Sequence, residues 1–275
     1  MTLKDPAPDA AASVMPTWFI PHGGGPCFFM DSNPPHAWER MADFLKGLAA
    51  TLPARPRAIV VVSAHWLDGA FSVTSGARPD LIFDYHGFPP HTYALRYPAP
   101  GEPALAARIT ALLQAAGLPS QQDASRGFDH GVFIPMLLMF PGADIPVVQL
   151  SLSTTLDPAL HLAAGRALQA LRQEGVLIIG SGMSYHNMRG FGQPQARQAS
   201  QEFDGWLQKS MAMPAAERDR QLEQWLQAPA ARQVHPRPEH LLPLMVIAGA
   251  AQGDTGRAAY ASTLMGVAIS AYHFG

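Results

Sequence analysis

Apolar residues in this chain fall into a few short unbroken runs, separated by stretches with helical spacing. Ala58-Ile59-Val60-Val61-Val62 is apolar throughout and mostly β-branched, which predicts a central strand covered on both faces. Thr17-Trp18-Phe19-Ile20, stopped by Pro21 and Gly23-Gly24-Gly25, reads as a second buried strand. Val176-Leu177-Ile178-Ile179, closed by Gly180-Ser181-Gly182, reads as a third, and Ile145 to Leu150 as a fourth. Phe71 to Thr74 is expected to neighbour the central run. Met41, Phe44, Leu45 and Leu48 recur at helical spacing within 36–51, as do Leu105, Ile109, Leu112 and Leu113 within 103–115. Val132 to Phe140 predicts a short apolar helix. Asp157-Pro158 supplies an N-cap followed by proline at the first helical position, opening a helix to about Glu174. Residues 195–227 predict two polar surface helices, and Pro238 is expected to start a helix running to about Ala250. Strand-like pieces follow near 258–264 and 267–272.

Strands alternating with helical segments predict one α/β domain over 16–275, with a central mostly parallel or mixed sheet flanked by helices. Residues 1–15 read as a disordered tail. The stretch 76–101 carries five prolines and no period, which marks it as a candidate functional loop.

Composition narrows the function classes. The chain has 275 residues, 48% hydrophobic and only 15% charged, so it can bury a large core. A net charge of −2 gives no electrostatic footprint for nucleic acid or an anionic membrane. The single cysteine, Cys27, excludes an intrachain disulfide framework and a Cys-rich zinc site, and is expected to be inert packing. Leu241 to Ala251 is the longest apolar stretch, too short to span a bilayer and broken by Pro243. A soluble cytoplasmic protein is the expectation. Gly23-Gly24-Gly25 lacks the lysine of a phosphate loop and the spacing of a dinucleotide fingerprint. Gly180-Ser181-Gly182 does not fit a nucleophile elbow.

The 11 histidines carry the remaining signal. His22 follows the first strand, His65 ends the central one in Ser63-Ala64-His65-Trp66, and His186 follows the Val176 strand by a glycine-rich turn. In open α/β sheets the carboxyl ends of strands border the ligand crevice, so these imidazoles can converge there. His240 is expected in the first turn of the Pro238 helix, able to point into a neighbouring pocket. Clustered imidazoles are the main protein device for holding a borderline divalent metal, and a catalytic ion needs three protein ligands plus open positions. Each ligating ring also needs an acceptor for its other N–H, and Asp129, beside His130, is the candidate.

With these residues in place, the chain resembles the LigB-type (class III) extradiol ring-cleavage dioxygenases, in the branch similar to 4,5-DOPA dioxygenases. The matching segments are Pro21 to Pro26, Ile59 to Trp66 (IVVVSAHW), Tyr97 to Gly101, Gly127 to Gly131 (GFDHG), Ile145 to Leu150, Gly180 to Asn187 (GSGMSYHN) and Pro238 to Leu244. The first motif departs from the GHGSP usual in the DOPA-cleaving branch. The resemblance implies metal ligands at His22, His65 and His240, with Glu239 as the rival third ligand because related enzymes use two His and one Glu. It implies His186 as acid/base and His130 in the substrate pocket. It also implies a catechol-type aromatic diol and O2 as substrates, with Fe(II) needed for turnover. Zn(II) can occupy the isolated protein, since zinc outranks iron in affinity for such sites but has no redox chemistry. For such a flat substrate, Tyr93 is expected to stack, Arg96 to take a carboxylate and Asp129 to line the pocket. Two other classes use the same residues: a zinc hydrolase or amidase with Glu239 as base, and a metal-binding scaffold without catalysis.

Overall fold

The computed structural model describes residues 14–275. Eight strands form one sheet: β1 Thr17–Pro21, β2 Ala58–Asp68, β3 Phe71–Thr74, β4 Ser120–Asp123, β5 Val147–Ser153, β6 Val176–Gly182, β7 Gly256–Leu264 and β8 Val267–Phe274. Their spatial order is β4-β3-β5-β2-β6-β1-β8-β7. The inner four, β5, β2, β6 and β1, are parallel; β3 and β8 join them antiparallel, so the sheet is mixed, as the alternation predicts. Every residue of β1, β5 and β6 is buried, the consequence of helices on both faces.

Among the described residues, nine α-helices surround the sheet: α1 Glu39–Leu48, α2 Pro103–Ala115, α3 His130–Met139, α4 Pro158–Leu168, α5 Ala170–Gln173, α6 Pro194–Met211, α7 Ala215–Glu223, α8 Ala231–Val234 and α9 Leu242–Ala251. Adjacent residues of β6 show which face two of them take. A Cβ on Gly180 would meet Pro243 and Ile247 of α9, whereas the Ser181 hydroxyl donates to the Gly131 carbonyl of α3. Successive side chains of a strand point to opposite faces, so α9 and α3 cover opposite sides.

The structure corrects several expectations. β3 lies one strand further from β2 than predicted, because β5 fills the slot beside β2. β5 starts at Val147 rather than Ile145, since Pro146 has no N–H to give the ladder. The last helix starts at Leu242, not Pro238: Pro243 takes its first turn, and 238–241 form a separate turn closed by Leu241 N–H to Pro238 O at 2.8 Å. The polar edge strand β4 carries no apolar signal and was not expected. Residues 1–13 of the expected tail lie outside the described residues; Met15 is buried and its N–H donates to Arg172 O at 3.1 Å.

Helices α4 and α9 pack backbone against backbone. A Cβ on Gly249 would lie 2.2 Å from Leu162 O, and one on Gly165 would lie 2.0 Å from Val246 O. Gly249→Ala is therefore expected to force the helices apart and cost about 1–3 kcal/mol. A lower urea midpoint with an unchanged slope is the expected reading; an unchanged midpoint would contradict it.

Two histidines outside the site are held neutral. His161 donates from Nδ1 to Asp157 O at 2.6 Å and accepts from Ser153 N–H at 3.1 Å, so a second ring proton would break the latter bond. Burial lowers His161 to about 4 and His235 to about 3. Unfolded, both rings would bind protons below about 6.5. The unfolded chain then carries more protons than the fold, so stability falls as pH drops from about 6.5 toward 4, by up to about 1.4 kcal/mol per pH unit per ring. Urea unfolding between pH 7.5 and 4.5 checks this; a flat midpoint would contradict it.

Candidate active site

The parallel strands end at one edge of the sheet, and five chain segments meet there. His22 follows β1, its N–H donating to Gly182 O at 3.2 Å. His65 sits in an irregular part of β2: Val62 pairs with Leu150 but Leu67 with Leu152, so five steps on β2 match two on β5. Such a bulge re-aims side chains, and here it holds the histidine that the alternation places at the strand end. His240 lies in the turn before α9, and its carbonyl accepts from Met183 N–H at 3.0 Å. That turn rests directly on β6, because a Cβ on Gly182 would lie 2.2 Å from His240 O. His186 reaches the same edge after β6, and His130 opens α3.

The rings converge. His65 Nε2 is 3.0 Å from His22 Nε2 and 3.2 Å from His240 Nε2. The other nitrogen of each ring identifies its proton. Ser181 spends its one hydroxyl proton on Gly131 O, so toward His22 Nδ1, 3.0 Å away, it can only accept. His240 Nδ1 lies 3.1 Å from Glu239 Oε1, and His65 Nδ1 lies 3.5 Å from Asp84 Oδ2. Each Nδ1 thus carries the proton, and the Nε2 lone pairs of His22, His65 and His240 face one another. Burial first, then the neighbouring imidazoles, pushes His22 and His240 well below the ordinary histidine value; burial chiefly lowers His65 to about 3. Three neutral rings with opposed lone pairs repel one another, and a cation between them removes the conflict. The donor set fits a divalent metal.

Two more imidazoles border this point. His130 Nδ1 donates to Asp84 Oδ1 at 2.8 Å, and its ring centre lies 3.9 Å from that of His65. Nitrogens of His22, His65 and His130 lie within 4.8 Å of one another, as do ligand atoms of His186, Glu239 and His240. His186 stacks on His240 at 3.3 Å between ring centres, with its Nδ1 3.3 Å from Glu239 Oε1. One carboxylate oxygen therefore faces the Nδ1 atoms of both rings. Burial raises the Glu239 carboxyl, but the His186 hydrogen bond and charge outweigh it and hold Glu239 below its usual value. Asp84 follows the same balance, with His130 as the stabilising partner.

The five imidazoles form one wall of a cavity of about 420 Å³, closed by Gly23, Gly24, Gly25, Trp38, Tyr85, Phe88, Met183, Met188, Phe191 and Met265. Three expected substrate contacts are not among its walls. Tyr93 and Arg96 line a separate open cavity with Asp80 and Phe83; Tyr85 stands between, 5.8 Å from the His130 ring and 5.3 Å from that of Tyr93. Asp129 is fully buried behind the site, bound to Ser63 Oγ at 2.7 Å, to Arg126 Nη2 at 3.2 Å and to Gln149. Nor does it hold the His130 ring: adjacency in sequence points to Asp129, whereas the loop residue Asp84 accepts from His130 and faces His65. Asp84 is the carboxylate beside the imidazoles that the sequence does not single out. The usable signal was the need of each imidazole for an acceptor, with nothing to choose among the acids. Cys27 is inert as expected: burial pushes its thiol up to about 12, and Gly24 N–H donates to Sγ at 3.3 Å.

Residues 16–274 match the family described as "Catalytic LigB subunit of aromatic ring-opening dioxygenase". The chain belongs to the LigB family. The resemblance read from the motifs is thereby borne out over nearly the whole chain, and with it membership of a dioxygenase family. The 4,5-DOPA dioxygenase extradiol of Beta vulgaris is 39% identical over 250 residues, covering 90% of this LigB chain and 90% of the relative. The dioxygenase tasH of Hapsidospora irregularis is 38% identical over 284 residues, covering 95% of this chain and 86% of the relative. The crystal structure of an uncharacterized protein from Escherichia coli K12 superposes with a TM-score of 0.74 at 32% identity, covering 95% of this chain and 100% of that one. Among the described residues, no helix is long and apolar enough to cross a membrane.

Proposed function

We propose that this LigB protein is an extradiol dioxygenase that opens a catechol ring beside its two hydroxyls, with Fe(II) held by His22, His65 and His240. Three convergent Nε2 lone pairs beside a fourth imidazole, in one cavity lined by aromatic rings, carry this reading. A ferrous ion held by these three residues would supply the redox chemistry toward dioxygen that side chains lack. Zinc can fill the same ligand set without that redox chemistry.

The chain's own groups handle position and protons. Trp38, Tyr85 and Phe88 present rings and ring edges to a flat substrate. A catechol hydroxyl is a weak acid, and an imidazole is the base suited to taking its proton near neutral pH. Among the described residues His186 Nε2 has no hydrogen-bond partner, while Nδ1–H faces Glu239, which steadies the ring once Nε2 is protonated. The same proton can be returned to the opened ring. His130, tied to Asp84, borders the substrate from the other side.

Glu239 fits neither rival role well. Its Oε1 faces the Nδ1 atoms of His186 and His240, the nitrogens opposite those that converge, so it stands behind the ligands. This favours His240 as the third ligand and leaves a hydrolase without its base. Anaerobic loading with ferrous iron, then oxygen-electrode screening of substituted catechols, tests the proposal. Oxygen uptake with growth of a coloured product is expected. No uptake with any catechol, while the zinc form hydrolyses an ester or amide, would overturn it.

A further inference from the structure

We infer that the cavity selects catechols whose ring substituent is uncharged and apolar over those bearing a carboxylate or an amino-acid group. This inference rests on the ring-cleavage reading and narrows its substrate class. Among the described residues, no Lys, Arg, Asp or Glu lines the cavity. Arg96, the guanidinium expected to take a carboxylate, belongs to the separate cavity beyond Tyr85. Arg126 lies 4.4 Å over the Trp66 ring and is bound to Asp129.

Two uncharged donors on the cavity wall are committed elsewhere. The Tyr85 hydroxyl donates to Thr92 O at 2.8 Å, and Gly24 N–H donates to Cys27 Sγ. The start of α3, where backbone N–H groups favour an anion, is taken by Asp84, which accepts from His130 N–H at 2.9 Å. The two carboxylates near the site, Asp84 and Glu239, each face imidazole Nδ1 atoms and neither lines the cavity, so neither is presented to an ammonium group on the substrate. A charged substituent among these walls would give up water without gaining a charged partner, which is costly.

The walls away from the imidazoles favour the opposite chemistry. Met183, Met188, Met265 and Phe191 provide thioethers and a ring that adapt to varied apolar shapes. Met188 is 68% exposed, an apolar side chain facing water on the cavity's wall. At about 420 Å³ the cavity is of a size that encloses a whole small ligand, with room for more than one catechol ring.

The test compares 4-butylcatechol with its near-isostere 3-(3,4-dihydroxyphenyl)propanoate and with DOPA, on the iron-loaded protein. Anaerobic calorimetry reads binding, and oxygen uptake reads kcat/KM. A preference for the alkyl compound on the order of 100-fold is expected in both. Equal or better performance by either charged compound overturns the inference and leaves ring cleavage standing. Absence of oxygen uptake with all three overturns the ring-cleavage reading, and the binding ratio still decides the cavity's preference, equal binding counting against it. Met188→Arg supplies the missing cation at an exposed position and is expected to move the ratio about 10-fold toward the carboxylate. No movement would overturn the placement of the substituent beside Met188.

Discussion

His65→Ala is expected to lose metal and ring cleavage together. His65 Nε2 is the atom the other two share, 3.0 Å from His22 and 3.2 Å from His240. Removing a partner that merely orients a ligand typically weakens metal binding by about 10–100-fold, and removing the ligand itself should exceed that range. The change also opens space beside His130, whose ring centre lies 3.9 Å away and whose Nδ1–H is held by Asp84 Oδ1. Elemental analysis after ferrous loading and desalting should show background metal, with circular dichroism unchanged. Stoichiometric metal in the variant would refute the ligand set.

His186→Ala separates binding from turnover. His186 stacks on His240 but presents its Nδ1 to Glu239, so its loss leaves the three convergent nitrogens in place. Metal content is expected to stay at the wild-type level while kcat falls on the order of 10²–10⁴-fold, the usual worth of a positioned acid/base. Glu239→Gln should shift the pH profile of kcat, because the neutral amide no longer stabilises the protonated ring. Metal loss equal to that of His65→Ala would show that His186 is a ligand and not a base.

The strand ends were legible because β1, β2 and β6 are buried on both faces and so read as unbroken apolar runs. Each run points to the histidine just past or within its carboxyl end, and parallel pairing brings those ends to one edge. The resemblance added His240 as the expected third ligand. What stayed hidden depends on how distant segments cross. Asp84 is recruited by the fold-back of the 76–101 loop over α3, which no periodicity encodes. Tyr93 and Arg96 share that loop but fall on the far side of Tyr85, so belonging to the right stretch did not place them at the site. His240 was expected on a helix; Pro238 reads as a helix start, yet Pro243 holds that role and leaves His240 in a turn braced by Met183.

The three convergent rings lie just past the first strand, in the central strand and in the turn before the last helix. An ion gripped by all three would close a circuit through most of the polypeptide, enclosing every helix up to the final one. Separating those three segments would then require releasing the ion. The loaded protein should therefore unfold at a higher denaturant concentration than the metal-free protein, by an amount that grows with the free ion concentration.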